Sequence, residues 1–73
     1  MAHFIFIRTT DASSRDLFCE QLIKNGYVNR WPLSETTADR LIVRICYETK
    51  TFEIFMYAYG DYLSVEEFED LFL

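Results

Sequence analysis

Residues 40–59 read RLIVRICYETKTFEIFMYAY, two runs rich in β-branched and aromatic side chains on either side of Glu48-Thr49-Lys50-Thr51. Runs of this kind with period-two patterning predict a β-hairpin. With the tight turn at residues 48–51, Tyr47 pairs with Phe52, Ile45 with Ile54, Val43 with Met56 and Leu41 with Ala58, which makes one apolar face. The alternate positions pair Cys46 with Glu53, Arg44 with Phe55, Ile42 with Tyr57 and Arg40 with Tyr59, because side chains opposite one another across strands share a face. That second face is aromatic and cationic. A slip of one residue would exchange the faces on one strand, and Thr49-Lys50 is not the Asn-Gly kind of turn that pins register.

Working outward, residues 3–8, HFIFIR, read as a strand apolar on both parities, with Phe4 and Phe6 on one side and Ile5 and Ile7 on the other. Such strands are usually central in a sheet. After a turn at residues 9–12, Ser13 reads as a helix cap with Asp16 three residues on, and Leu17, Phe18, Cys19, Leu22 and Ile23 form the apolar stripe. Gly26, suited to the left-handed conformation, closes that helix. Residues 27–31, YVNRW, read as a short strand ended by Pro32, and residues 33–39 as a polar loop.

Beyond the hairpin, Gly60-Asp61 breaks the strand and Ser64 caps a second helix. Glu67 stands at the reciprocal capping position, Leu63 is placed to staple onto Phe68, and Val65, Phe68, Leu71 and Phe72 make the stripe. The order is strand, helix, short strand, two hairpin strands, helix. It predicts one α+β domain over residues 1–73, a two-layer sandwich with an antiparallel-rich sheet, the hairpin at its centre and two helices on one face.

An apolar fraction of 51% with 18% aromatic residues, in a chain of 73, argues for a folded domain rather than disorder. No run of about 18 apolar residues is present to span a bilayer, and the first residues lack a signal-peptide pattern, so a cytoplasmic location is the expectation. Cys19 and Cys46 fall in different layers and are expected as two reduced, packed thiols. Residues 1–50 carry seven bases against six acids, whereas residues 51–73 carry six acids and no base, so the net charge of −5 is made by the C-terminal third. This opposes binding to a phosphate backbone, which needs cations, and points to a protein partner with a basic surface.

His3 is the only histidine, too few for a zinc site. No Gly-x-Ser-x-Gly elbow and no glycine-rich phosphate loop occurs. The reading is a non-enzymatic protein without cofactor or metal. Two features remain. Arg40, Ile42, Arg44, Phe55, Tyr57 and Tyr59 form either a stable cation-π surface or an exposed docking face. On the last helix Glu66 and Asp70 are four apart and Glu67 and Asp70 three apart, which puts carboxylates roughly 5–6 Å from each other on one face. First-turn acids suit the helix dipole, but Glu69 and Asp70 stand toward the end that disfavours them.

A short acidic α/β chain with a long hairpin (residues 40–48 and 51–59) followed by an acidic helix (residues 64–70) resembles the small phage-encoded inhibitors, especially anti-CRISPR proteins and other DNA mimics. The resemblance covers about half the chain, lies in size, charge and layout, and implies a stoichiometric inhibitor with no catalytic residue. The partner-binding residues expected are Asp61, Glu66, Glu67, Glu69 and Asp70 for electrostatic contact, with Phe55, Tyr57, Tyr59 and Trp31 as aromatic anchors. The alternatives are a homodimer through the aromatic sheet face and a small single-stranded nucleic-acid binder.

Overall fold

The computed structural model describes residues 4–31, 37–56 and 60–73. Within them the order is β1 (Phe4–Arg8), α1 (Ala12–Lys24), β2 (Val28–Asn29), β3 (Ile42–Cys46), β4 (Thr51–Phe55), β5 (Leu63–Ser64) and α2 (Val65–Phe72). The fold is α+β: five strands in the order β2-β4-β3-β1-β5, with both helices on one face.

The sheet is mixed, with two antiparallel ladders of five residue pairs each and two parallel ladders of two pairs each. β3 lies at its centre, antiparallel to β1 and β4, while β5 joins β1 and β2 joins β4 in parallel. A parallel neighbour needs a crossover; α1 supplies one by carrying the chain from β1 across to β2. β5 is two residues long, too short to show any periodicity, and the expected strand at 27–31 shrinks to Val28–Asn29. The hairpin is β3–β4, so only its first strand holds the centre.

Its register is displaced by two residues from the expected one. Ile42 faces Phe55, Val43 faces Ile54, Arg44 faces Glu53, Ile45 faces Phe52 and Cys46 faces Thr51. The turn spans residues 47–50, with Lys50 in the left-handed region at φ 56°. A shift of two keeps every side chain on its own face, so Val43, Ile45, Phe52 and Ile54 are all buried as expected, whereas Tyr47, expected opposite Phe52, lies exposed in the turn. Met56, expected opposite Val43, is instead exposed, and Tyr57, Ala58 and Tyr59 lie outside the described residues.

On the helix side of the sheet, Ile7, Val43, Ile45, Phe52 and Ile54 meet Phe18, Cys19 and Leu22 of α1 and Phe68 of α2. α1 buries Arg15, Phe18, Cys19 and Leu22, the i, i+3, i+4, i+7 set of a helical face. Leu17 and Ile23, expected in that stripe, point outward. Cys19 belongs to this core, whereas Cys46 sits on the opposite face beside Phe4 and Thr51. The two thiols are free, and the sheet between them prevents the approach a disulfide needs.

The helix ends follow local chemistry. Asp11, not Ser13, caps α1: its carboxylate accepts from the Ser14 N–H at 2.7 Å. The helix therefore starts before Ser13, which falls inside the first turn. At the other end Gly26 N–H donates to Ile23 O and Tyr27 N–H to Leu22 O, with Gly26 at φ 90°, the paired bonds of a Schellman motif. Leu22 and Tyr27, the positions that make the accompanying apolar contact, are both buried.

The Asp11 cap makes stability depend on pH. Hydrogen bonds from Ser14, backbone first, hold its carboxyl below the ordinary value. A lowered folded-state pKa contributes stability above the unfolded value, and that contribution disappears as pH falls through the folded one. The stability gap between wild type and Asp11→Ala, read by urea unfolding, is therefore expected to be constant above about pH 5 and to narrow below about pH 4. A gap independent of pH would mean that the charged cap contributes nothing.

Candidate partner-binding site

α2 is held by both ends of its first turn. Glu67 N–H donates to Ser64 Oγ at 3.1 Å and Ser64 N–H donates to Glu67 Oε1 at 3.2 Å, the reciprocal capping box. Glu67 is thus committed to the helix itself. Leu63 packs against the core that contains Phe68. The Phe68 ring meets Phe18 edge-on at 5.6 Å and stacks on Phe72 at 5.0 Å, and Phe72 stacks on Tyr47 at 5.6 Å. Leu71, expected in the buried stripe, is exposed.

With Phe68 turned inward, a period of 3.6 residues sends Glu66 and Asp70 outward and Glu69 to the flank. Glu66, Glu67 and Asp70 are exposed, Glu69 is half-buried and Asp61 is exposed just before β5. Among the described residues none of Asp61, Glu66, Glu69 or Asp70 forms an ion pair; those pairs are Arg15–Asp16 and Arg44–Glu53. No base stands in the last turn of α2 to offset Glu69 and Asp70 against the dipole.

The cations behave differently. Arg15 is buried and donates to Thr37 O at 2.8 Å and Arg40 O at 2.9 Å. Arg8 lies over the Tyr62 ring, Arg40 over Trp31, Arg44 over both Phe4 and Phe55, and Lys50 over Tyr27. Five of the seven bases are therefore engaged within the fold, and the carboxylates of α2 are presented to solvent.

The sheet face away from the helices carries Phe4, Phe6 and Arg8 from β1, Ile42, Arg44 and Cys46 from β3, and Thr51, Glu53 and Phe55 from β4. Arg44 is its hub, 4.4 Å from the Phe4 centroid, 4.8 Å from that of Phe55 and 2.8 Å from Glu53 Oε1. Cys46 closes the face beside the turn, where hydrogen bonds from Thr49, side chain first, lower its thiol pKa.

The expected anchors do not gather into one surface. Phe55 is on the far side of the sheet from α2, and Trp31 packs against the helix-side core with Arg40 4.7 Å over its ring. Tyr57 and Tyr59 lie outside the described residues. Phe4 and Phe6, absent from the expected set, join Phe55 because β1 pairs with β3. Nothing in the sequence marks that pairing, although the shared parity of Phe4 and Phe6 is legible.

Between α1 and α2 runs a groove of ≈ 560 Å³, walled by Ser14, Leu17 and Gln21 on one helix and Val65, Glu66 and Glu69 on the other, with Phe18 at its base. Leu17 is 65% exposed there. Among the described residues no cluster of three or more His, Cys, Asp or Glu could hold a metal, and no helix is long and apolar enough to cross a membrane.

Fold and surface together define a small α+β protein with an acidic, solvent-facing second helix and an aromatic-cationic face behind the sheet. Comparison with known proteins returned no matching family model, no matching curated protein and no matching solved structure.

Proposed function

We propose that this chain is a non-enzymatic binding protein, a stoichiometric inhibitor of a basic, nucleic-acid-binding or defence protein of a host cell, and that α2 makes the contact. The observation that carries this is the set of carboxylates at Asp61, Glu66, Glu69 and Asp70, exposed or half-exposed and without a cation among the described residues. Glu69 and Asp70 oppose the helix dipole, a cost of about 0.3–1 kcal/mol each that no base in the last turn of α2 offsets. A row of carboxylates at helical spacing can occupy a cationic groove made for phosphates. Association would be steered by charge and weakened by salt.

The test is capture of a basic protein from host lysate on the immobilised chain at low and high salt, followed by titration of the purified partner. Glu66→Lys with Asp70→Lys is expected to lower affinity by at least about tenfold while leaving the circular dichroism spectrum unchanged, since both positions are exposed. Unaltered binding by the double variant would exclude α2 as the contact.

A second reading, a homodimer through the aromatic sheet face, is favoured by Phe4, which stays 46% exposed. Light scattering separates the two: a dimer that resists salt and dissociates on Phe4→Ser supports self-association.

A further inference from the structure

We infer that the groove between α1 and α2 seats a cationic amphipathic helix of the partner. This rests on α2 being the contact element and specifies what α2 contacts. The two helices meet at depth through Phe18 and Phe68, 5.6 Å apart edge-to-face. Above that contact the groove keeps an apolar strip, Leu17 at 65% exposure with half-buried Val65.

Charge selects the occupant. The α2 wall carries Glu66 and Glu69, both without a cation among the described residues, and the α1 wall is neutral with Ser14 and Gln21. Arg8, which also lines the groove, lies over the Tyr62 ring, so the lining carries two acids against one base. A helix with leucine-like side chains at i, i+3, i+4 and i+7 would lay them on Leu17 and Val65, and lysines or arginines flanking that stripe would reach Glu66 and Glu69. An extended peptide is a poorer fit, because both sheet edges, β2 and β5, are two-residue strands that offer almost no ladder for strand addition. The aromatic face behind the sheet carries Arg8 and Arg44 against the single acid Glu53, which is already paired to Arg44, and so lacks the acidic balance of the groove.

The probe is a Leu/Lys peptide of about 18 residues, long enough to hold a helix, with leucines at i, i+3, i+4 and i+7, compared with a scrambled peptide of equal charge. Titration calorimetry of the whole chain is expected to show the amphipathic peptide binding at least about tenfold more tightly than the scrambled one. Leu17→Ser is expected to erase that preference, and Ile23→Ser, at an exposed position of α1 outside the groove, to leave it intact. Equal binding of the two peptides, no binding of either, or a preference untouched by Leu17→Ser would overturn the groove. The two ideas fail separately: a natural basic partner lost with Glu66→Lys and Asp70→Lys yet unaffected by Leu17→Ser keeps α2 as the contact and removes the groove.

Discussion

Phe68→Ala is expected to lower the stability of this protein by about 4 kcal/mol, the cost of truncating a buried phenylalanine. Phe68 is fully buried and is the one buried residue of α2, an eight-residue helix. A helix that short does not persist in water by itself; it stands because one ring inserts between Phe18 and the sheet. The ring's removal also frees Phe72 and, through it, the stack on Tyr47. A chain of 73 residues holds roughly 4–11 kcal/mol in all, so the variant keeps little reserve. Its thermal midpoint is expected to fall by roughly 15–30 °C, with Phe68→Leu falling less. A drop below about 5 °C would mean that α2 is anchored elsewhere.

Arg15→Met is the second large effect, expected at about 2–4 kcal/mol. Arg15 is buried in the face of α1 that packs on the sheet, and its guanidinium donates to the backbone carbonyls of Thr37 and Arg40. Two opposing effects have to be weighed. Replacing a buried ion pair by an apolar side chain is often neutral, because both charges are relieved of their desolvation. Here the acceptors are main-chain carbonyls that no substitution removes, and each bond to a charged donor is worth about 1.5–3 kcal/mol. The loss of donors therefore wins. Asp16, the ion-pair partner, has a side chain 52% exposed, so Asp16→Asn is expected to cost less than about 1 kcal/mol. Equal effects of the two substitutions in urea unfolding would show that the ion pair, and not the tether to residues 37–40, is what Arg15 contributes.

What the sequence determined by itself is whatever depends on neighbours along the chain. That Val43, Ile45, Phe52 and Ile54 share one face follows from strand parity, and the two-residue displacement of register leaves it untouched because parity repeats every two. The Ser64–Glu67 capping box, the closure of α1 at Gly26 and the acidic run from Asp61 to Asp70 are equally local. Even there, Ser13, expected as the cap of α1, falls inside the first turn and Asp11 takes that role, because a capping residue two positions upstream starts the helix earlier. Which of Leu17, Phe18, Cys19, Leu22 and Ile23 faces inward was decided by the angle at which α1 meets the sheet. That angle brought Arg15 in and turned Leu17 out, creating both the tether and the groove.

Only the tertiary structure decided which surfaces exist. Whether Phe55 shares a face with the acids of α2 depends on which side of the sheet the helices cover, and β1 is rich in apolar residues on both sides while β3 has Arg44 on one side between Ile42 and Cys46. The core chose the side carrying Ile7, Val43 and Ile45. Phe4, Phe6, Arg44 and Phe55 were thereby left together behind the sheet, apart from the carboxylates. β2 and β5, two residues each, exist only as ladders to strands distant in sequence. Their pairing comes from the crossover of α1 and the entry into α2, long-range contacts that no local pattern encodes.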